Sequence, residues 1–252
     1  MSDTIVLCYH AVSERWPAPL SVTPQAFERQ LELLVRRGYE GATFRDAALA
    51  ARSRKTVAIT FDDAYVSVLE LARPILDRLG LPATVFVPTD WPARGQPMCW
   101  PGIEQWMGGP FEPELRPLTW EQLSELDAHG WEIGSHTRSH PHLTELEDAT
   151  LEAELRESRA ECERRLGRPC TTLAYPYGDY DARVAAAAGR AGYEAAGTLP
   201  SRIHPAQPLE WPRVGVYHDD SERRYRLKVS RVVRTVRSSR AWDAVERLYH
   251  RR

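Results

Sequence analysis

The sequence predicts an α/β domain in which parallel strands alternate with helices and close into a barrel. Apolar runs rich in Val, Ile and aromatic residues recur along the chain, segments with the apolar period of a helix separate them, and seven or eight such units follow one another. That number of units suits a barrel better than a small open sheet. With 252 residues, 42% of them hydrophobic, the chain can form this fold as a single domain.

The first half of the chain contains four predicted strands. The run 4–9 (TIVLCY) is expected to be a buried strand, and the helix after it is expected to have Thr23 as its cap and Pro24 at its first position. Gly38 is typical of the end of such a helix. The apolar stripe of this helix consists of Phe27, Leu31, Leu34 and Val35. The next expected elements are strands over 39–44 and 56–61, a helix over 68–79 and a strand over 83–87.

The second half continues the alternation after one interruption. Residues 91–118 are rich in Pro and Gly and include Trp91, Trp100, Trp106 and Phe111. A long irregular segment is typical of a lid or a binding loop, but its aromatic residues can equally serve only to pack it onto the barrel. The remaining expected helices span 120–129, 148–166 and 182–191, and the remaining expected strands span 131–134, 171–175, 193–197 and 213–217.

Charge is distributed unevenly along the chain. The formal net charge is −2, but from position 222 to the end there are eleven Lys and Arg against three Asp and Glu, a local charge of +8. We therefore divide the chain into a barrel at 1–222, with a lid-like insertion at 91–118, and a basic helical extension at 223–252. The overall balance argues against a nucleic-acid partner. The extension is expected to be a solvated helix face, with association with an anionic membrane surface as the alternative.

The cysteines and the N-terminus bear on the compartment. The four cysteines Cys8, Cys99, Cys162 and Cys170 form no CxxC pair, so we expect reduced thiols. The start MSDTIVLCYH has no basic region ahead of its short apolar run, unlike a secretory signal. No stretch approaches the roughly 18 apolar residues that a membrane span needs. The expected location is the cytoplasm.

Side chains able to perform chemistry follow three of the predicted strands. Asp62 and Asp63 follow one strand, and His136 and His140 lie four residues apart just beyond another. Ligands bind where the carboxyl ends of parallel strands meet. An isolated Asp pair is also typical of a helix N-terminus, and an isolated His is usually structural. His142 is out of phase with the other two histidines and is expected to be exposed.

Together these residues are typical of a catalytic metal site. One Asp and two His provide three protein ligands and leave a position for water, and the second Asp can then act as a base. The residues alone do not decide which Asp has which role. The mixed ligand set favours one divalent ion, Zn²⁺, although Co²⁺, Ni²⁺ or Fe²⁺ would fit the same ligands. After the strand at 171–175, Pro176 and Gly178 shape a turn that can direct the Tyr177 backbone N–H toward an oxyanion.

The motifs TFDDA, SHTRSH and AYPYG, in this order, resemble the first three motifs of the polysaccharide deacetylases, the NodB-homology carbohydrate esterases of family 4. The opening LCYHAV is similar to that family as well, and the resemblance extends from about residue 5 to residue 217. It implies a distorted (β/α) barrel of about seven strands. It also implies a metal-dependent hydrolase in which a metal-activated water removes an N-acetyl group from an amino sugar or polysaccharide.

The resemblance assigns roles to individual residues. Asp62 matches the general base, and Tyr177 matches the residue whose backbone N–H helps to hold the oxyanion. The metal ligands of the family match Asp63, His136 and His140.

The sequence departs from the family pattern at several positions. Ala64 replaces the usual Gly, and Ala174 stands where many members have an Arg that steadies the base; Arg213 can supply that charge. The late Leu-x-His motif, which usually provides the general acid, is absent, and the candidates for this role are His10 and His218.

Substrate binding is assigned to Tyr175 and Arg213, with Trp91 and Trp100 also suited to stacking on a sugar ring. Two alternatives stay open for the function. One is a deformylase or small-molecule amidase that acts on another C–N bond. The other is a degenerate member that binds sugar without turnover.

Overall fold

The apolar runs of the sequence form strands that pair in parallel, as seen in a computed structural model that describes residues 3–51, 53–200 and 205–237. The strands of this part of the chain are β1 Asp3–Tyr9, β2 Ala11–Val12, β3 Ser21–Val22, β4 Glu40–Ala42, β5 Lys55–Phe61, β6 Ala83–Val87, β7 Glu132–Ser135, β8 Thr172–Ala174, β9 Ala195–Thr198, β10 Trp211–Pro212 and β11 Val214–Gly215. Its α-helices are α1 Pro24–Arg36, α2 Phe44–Leu49, α3 Arg73–Leu79, α4 Trp120–Ala128, α5 Asp148–Leu166, α6 Ala182–Ala191, α7 Glu222–Lys228 and α8 Arg231–Arg237.

Nine of these strands form one sheet in the order β10-β9-β8-β7-β6-β5-β1-β11, with β4 beside β5. Strand β5 pairs with β1 along its whole length, and its other edge is divided between β4 near the amino end and β6 near the carboxyl end. Every pairing in the sheet is parallel, so the carboxyl ends of the strands meet at one end of the domain.

A single short segment nearly closes the barrel. Strand β10 pairs with β9, strand β11 pairs with β1, and only Arg213 separates the two. The five residues 211–215 thus pair first with β9 and then with β1, at the two edges of the sheet. The predicted α/β barrel is confirmed, and its closure carries the Arg213 side chain into the interior, where it is 2% exposed.

Most predicted elements are confirmed. One strand and two helices have the same first and last residues as predicted: 83–87, 148–166 and 182–191. The predicted strand at 39–44 extends too far, because Thr43 accepts a hydrogen bond from the Asp46 N–H and so begins helix α2. The strand expected at 213–217 is instead the closing segment β10–β11. The helix expected at 68–79 begins with a π-helical turn, Val68–Ala72.

Helix α1 shows how the sequence directs these elements onto the sheet. The Thr23 hydroxyl accepts a hydrogen bond from the Ala26 N–H, and Pro24 occupies the first turn. Three members of the predicted stripe, Phe27, Leu31 and Leu34, are buried. The fourth, Val35, is 39% exposed, so the stripe is narrower than predicted.

The insertion packs onto the carboxyl ends of the strands through its own hydrophobic cluster. We call this the aromatic cluster; its buried members are Ala11, Trp16, Ala18, Tyr65, Trp91, Met98, Trp100, Ile103 and Leu115, with Leu20, Trp106 and Phe111 packed against them. The cluster joins residues of the 91–118 insertion to the loop after β1, and it is separate from the main core. It therefore builds a second layer over one end of the barrel.

The first part of the basic extension packs against the barrel. Tyr225 and Val229 are buried, and the Arg234 guanidinium donates hydrogen bonds of 2.7 and 2.9 Å to the Asp3 carboxylate on β1. The boundary at 222–223 remains a prediction, and residues 238–252 lie outside the described part of the chain. None of the described helices is both long and apolar enough to cross a bilayer.

Candidate active site

The acidic pair and the two histidines come together at the carboxyl ends of the strands. Asp62 and Asp63 follow β5, and His136 follows β7 directly. All are buried in the floor of one cavity, with exposed fractions of 2%, 2% and 1%, and His140 joins them at 5%. The strand-end rule thus predicts this convergence correctly.

The spacing of three of these side chains fits a shared cation. The Asp63 Oδ1 lies 3.4 Å from the His136 Nε2 and 3.3 Å from the His140 Nε2. Ligand atoms about 2.0–2.1 Å from a tetrahedral ion lie roughly 3.3 Å from one another. The Asp63 Oδ1 is buried and has no hydrogen-bond partner among the described residues. A carboxylate oxygen in this situation needs a positive partner, which a divalent ion would supply.

The orientation of His136 also suits a metal ligand. Its Nδ1 lies 2.8 Å from the Ala174 carbonyl oxygen, so this nitrogen carries the proton and the Nε2 presents its lone pair to the site. A backbone acceptor on the far nitrogen is the usual way in which a protein holds a metal-binding imidazole. The Ala174 carbonyl on β8 therefore fixes the orientation of the His136 ring, and His136 itself directly follows β7.

Asp62 forms a buried ion pair with Arg213. The two guanidinium nitrogens Nη1 and Nη2 donate to the Asp62 Oδ1 and Oδ2 at 2.6 and 2.8 Å, and the Cys8 thiol donates to Oδ2 at 3.3 Å. The Arg213 guanidinium thus lies where it can supply the charge that is expected beside Asp62. Because it is buried and both of its terminal nitrogens serve Asp62, it is not a substrate contact, which corrects that part of the prediction.

Both carboxyl groups favour the ionised form. Burial acts to raise the pKa of Asp62, but the charge and the hydrogen bonds of Arg213 outweigh it and bring the pKa to about 2. Burial likewise opposes ionisation of Asp63, yet the adjacent His136 and His140 imidazoles favour its carboxylate and hold its pKa well below the ordinary value. Burial lowers the pKa of His140, which leaves its imidazole neutral and able to bind a cation.

The backbone around the site is strained. Among the described residues, five that are not glycine have positive φ: Asp63 (70°), Ala64 (58°), Thr137 (65°), His140 (69°) and Tyr177 (59°). Each belongs to one of the three motifs. Left-handed backbone at such residues costs of order 1–3 kcal/mol each and persists only where the surroundings impose it. The turns are therefore shaped for the site.

Glu154 is a supporting residue that the sequence analysis missed. It lies on α5, is 2% exposed, and accepts hydrogen bonds of 2.9 Å from the backbone N–H groups of Arg138 and Ser139 and of 2.8 Å from the Ser139 hydroxyl. It thereby fixes the loop that carries His140. An acidic residue on the buried face of an amphipathic helix is the sequence signal that could have identified it.

The structure places the two candidate acids differently. His10 lines the cavity, is 8% exposed, and its Nδ1 has no hydrogen-bond partner among the described residues. Burial lowers its pKa, although the charges of Asp63 and Asp62 act in the opposite direction. His218 is exposed, lies outside the cavity lining, and its Nδ1 is 3.4 Å from the Ser21 hydroxyl.

The aromatic residues named in the sequence analysis differ in whether they line the cavity. Tyr175 is fully buried, its hydroxyl donates to the Leu209 carbonyl at 2.9 Å, and it stacks on Tyr180; it cannot stack on a sugar, which corrects that prediction. Tyr177 lines the cavity and is 38% exposed. His142, although expected to be merely exposed, stacks on the Tyr177 ring with centroids 3.9 Å apart. Trp91 lies outside the cavity lining.

The cavity above these residues has a volume of about 330 Å³. Trp100 stacks on the His140 ring with centroids 4.3 Å apart, and the Tyr177 hydroxyl donates to the Pro101 carbonyl at 3.2 Å. The insertion is thus attached to both the loop that carries His140 and the turn that holds Tyr177. It lines the cavity together with the loop after β1.

Comparisons with known proteins agree with the motifs. A family model described as polysaccharide deacetylase matches residues 50–196. YxkH of Bacillus subtilis (strain 168), assigned as a polysaccharide deacetylase, is 29% identical over 194 residues, which are 75% of this chain and 62% of that protein. The chain thus spans less than two thirds of the length of this curated relative. The matched family region contains Asp62, Asp63, His136, His140 and Tyr177, whereas His10 and Arg213 lie outside it.

Solved structures share the fold. The deacetylase PplD of Streptococcus pyogenes, solved in complex with acetate, superposes with a TM-score of 0.73 at 24% identity, covering 90% of this chain and 98% of that one. IcaB of Ammonifex degensii superposes with a TM-score of 0.71 at 25% identity, covering 86% of this chain and 93% of that one. The distorted barrel expected from the motifs is therefore confirmed.

Proposed function

The chain belongs to the polysaccharide deacetylase family, and we propose on that premise that it is a metal-dependent hydrolase that removes the N-acetyl group of an amino sugar. The observation that carries the proposal is the buried triad of Asp63, His136 and His140, whose ligand atoms all lie within 4.8 Å of one another, beside the ionised Asp62. The relatives named for deacetylation support the same reaction. The substrate we propose is an N-acetylated sugar, alone or at the end of a chain.

Asp63, His136 and His140 would hold one divalent cation, for which Zn²⁺ is our first choice. Such an ion, when bound, polarises a carbonyl group and makes a neighbouring water more acidic. Asp62, held ionised by Arg213, accepts the proton of the attacking water. The bidentate contact with Arg213 fixes the plane of the carboxylate, so the base keeps one orientation while the proton moves.

The other steps use residues at the cavity rim. The Tyr177 backbone N–H, set by the left-handed turn, would donate to the oxyanion of the tetrahedral intermediate. His10 is our candidate for the general acid, because among the two histidines considered it is the one that lines the cavity. The His10 imidazole would first take up a proton to become an imidazolium, which the charges of Asp63 and Asp62 favour, and would then donate that proton to the departing amine.

The proposal is tested by measuring acetate release from N-acetylglucosamine and its short oligomers, before and after metal removal and after Zn²⁺ is restored. We expect activity to disappear with the chelator and to return with the ion. Asp62→Asn should lower kcat by at least about a hundredfold, the usual contribution of a positioned base. The matched control is Asp77→Asn on α3, an exposed carboxylate remote from the cavity, which should leave kcat unchanged.

Product analysis separates the alternatives. Formate or ammonia as the product would favour a deformylase or an amidase instead. Metal binding and sugar binding without any released acid would favour a degenerate member. Full turnover in Asp62→Asn would refute the assigned base. The cytoplasmic location and the association of the basic extension with anionic membranes stay predictions, which fractionation and liposome partitioning of the chain with and without residues 223–252 would test.

A further inference from the structure

The part of the cavity lining outside the proposed catalytic and metal-binding residues is largely apolar, and we call it the apolar wall. Outside the proposed catalytic and metal-binding set, its lining residues are Ala18, Pro19, Leu20, Trp100, Pro101, Gly102, Ile103, Gln105, Trp106, Leu199 and Tyr217. In this described lining, the polar side-chain groups are those of Gln105 and Tyr217 and the indole N–H groups of Trp100 and Trp106. A sugar ring presents hydroxyl groups that need hydrogen-bond partners when water is removed, and this wall offers few.

The apolar wall is part of the folded core and not a mobile surface. Ile103 is 1% exposed and Trp100 is 7% exposed, and both belong to the aromatic cluster. Trp100 contacts the Trp91 ring edge-on with centroids 5.4 Å apart, while its other neighbour is the His140 ring. The indole is therefore fixed directly beside a proposed metal ligand.

We propose that this wall binds the acyl chain and that the preferred substrates are amino sugars whose N-acyl group is longer than acetyl, such as butanoyl or hexanoyl. The inference rests on the proposed function and specifies its substrate class. The amide carbonyl must reach the site of Asp62 and the triad, and an alkyl chain leaving that carbonyl meets the insertion. Leu20 and Trp106 line the same cavity and pack against the aromatic cluster.

The size of the cavity agrees with this assignment. Its volume of about 330 Å³ lies at the lower end of small-molecule sites. It is therefore large enough for one sugar unit with a short acyl chain. Each buried methylene group should raise kcat/KM about fourfold, since a CH₂ transferred from water to an apolar site contributes about 0.8 kcal/mol. The butanoyl substrate would then exceed the acetyl substrate by roughly fifteenfold.

The test compares the full-length protein loaded with Zn²⁺ on N-acetyl-, N-propanoyl-, N-butanoyl- and N-hexanoylglucosamine, with the released amine measured. The expected result is a kcat/KM that rises with chain length. Leu20→Gln, a change of similar volume that makes the wall polar, should reduce the butanoyl-to-acetyl ratio at least fourfold. The matched control is Leu227→Gln on α7, where the side chain is 50% exposed and far from the cavity, and it should leave the ratio unchanged.

A second measurement keeps the inference independent of turnover. Calorimetric binding of acetate, butanoate and hexanoate to the Zn²⁺-loaded protein should show affinity that rises with chain length, and Leu20→Gln should flatten the series. Hydrolysis that is fastest for the acetyl sugar, with flat binding of the acids, would overturn the inference and leave the proposed deacetylase intact. A rising binding series without hydrolysis of any sugar would support the wall and refute the proposed function.

Discussion

Replacing Arg213 by Gln should raise the pH at which activity is lost on the acid side. The guanidinium contacts both Asp62 oxygens at 2.6 and 2.8 Å and is the main opposition to a burial that would otherwise raise the pKa of this carboxyl. With Arg213, the pKa falls from 3.8 to about 2. At 1.36 kcal/mol per pKa unit, that difference is roughly 2–3 kcal/mol in favour of the carboxylate.

Without the guanidinium, burial acts on Asp62 with less opposition, and its pKa should rise above the ordinary value. Because the base must be ionised, the acid limb of kcat/KM should move up by about two pH units or more in Arg213→Gln. Arg213→Lys keeps a positive charge and should move the limb less. Arg78→Gln, which removes a surface pair with Glu28, is the control that should leave the limb in place.

Stability provides an independent check on the same pair. Breaking a buried ion pair from one side typically costs about 3–5 kcal/mol, because the other charge stays buried alone. Urea unfolding should therefore show large losses for Arg213→Gln and for Asp62→Asn, and a smaller loss for the double variant than for the sum of the two. Additive losses, or an acid limb that stays at its original pH while kcat falls, would show that Arg213 does not control the protonation of Asp62.

Three further perturbations test the site and the fold. His140→Ala should reduce bound Zn²⁺ from one ion per chain to near zero after dialysis, and retention of the ion by metal analysis would remove His140 from the ligand set. Gly197→Ala would place a methyl group 2.6 Å from the Arg213 Nε, so it should reproduce the acid-limb shift of the Arg213 variants in the same assay. Asp3→Asn removes the ion pair with Arg234. Burial acts to raise the pKa of Asp3, but hydrogen bonding from Tyr39 and the charge of Arg234 outweigh it and lower the pKa. The stability that Asp3 contributes is therefore present above its unfolded pKa and is lost as pH falls through its folded pKa. The variant should therefore be less stable than the parent by about 1 kcal/mol at pH 7, and this difference should shrink as pH falls below 3.8, which urea titrations at pH 7 and at successively lower pH would measure.

The residues that sequence reasoning located correctly are those whose position follows from local rules. A parallel strand ends at a known edge, so Asp62, Asp63 and His136 had to share that edge once the strands were recognised. The cap at Thr23 and the stripe of α1 are local in the same sense. The exact start of α2 was missed because Thr43 can both end a strand and cap a helix, and propensity alone does not choose between these.

The sequence identified Arg213 as a candidate partner of the base, but the contact itself depends on closure of the barrel. Arg213 reaches Asp62 from a position 151 residues away, through a segment that changes partner strand after a single residue. Tyr175 and Tyr177 differ by two positions in one turn, yet one is buried and the other lines the cavity. A motif of glycine and aromatic residues indicates a turn but does not show where each side chain points. Here the positive φ of Tyr177 sets the direction of its side chain.

The strained turns hold the side chains of the proposed triad, Asp63, His136 and His140, at a fixed spacing. Asp63 and His140 are both held at positive φ, and the segment before His140 is fixed by the hydrogen bonds of Glu154 to two backbone N–H groups. A carboxylate and two imidazoles free to relax would turn the buried Asp63 oxygen toward a protein donor, because an unpaired buried acceptor is unfavourable. Here the oxygen stays without a donor among the described residues, 3.3 and 3.4 Å from two imidazole nitrogens. The backbone therefore bears the strain that keeps the three proposed ligands at the spacing of a coordination sphere, so binding of the proposed ion would require little rearrangement of these side chains.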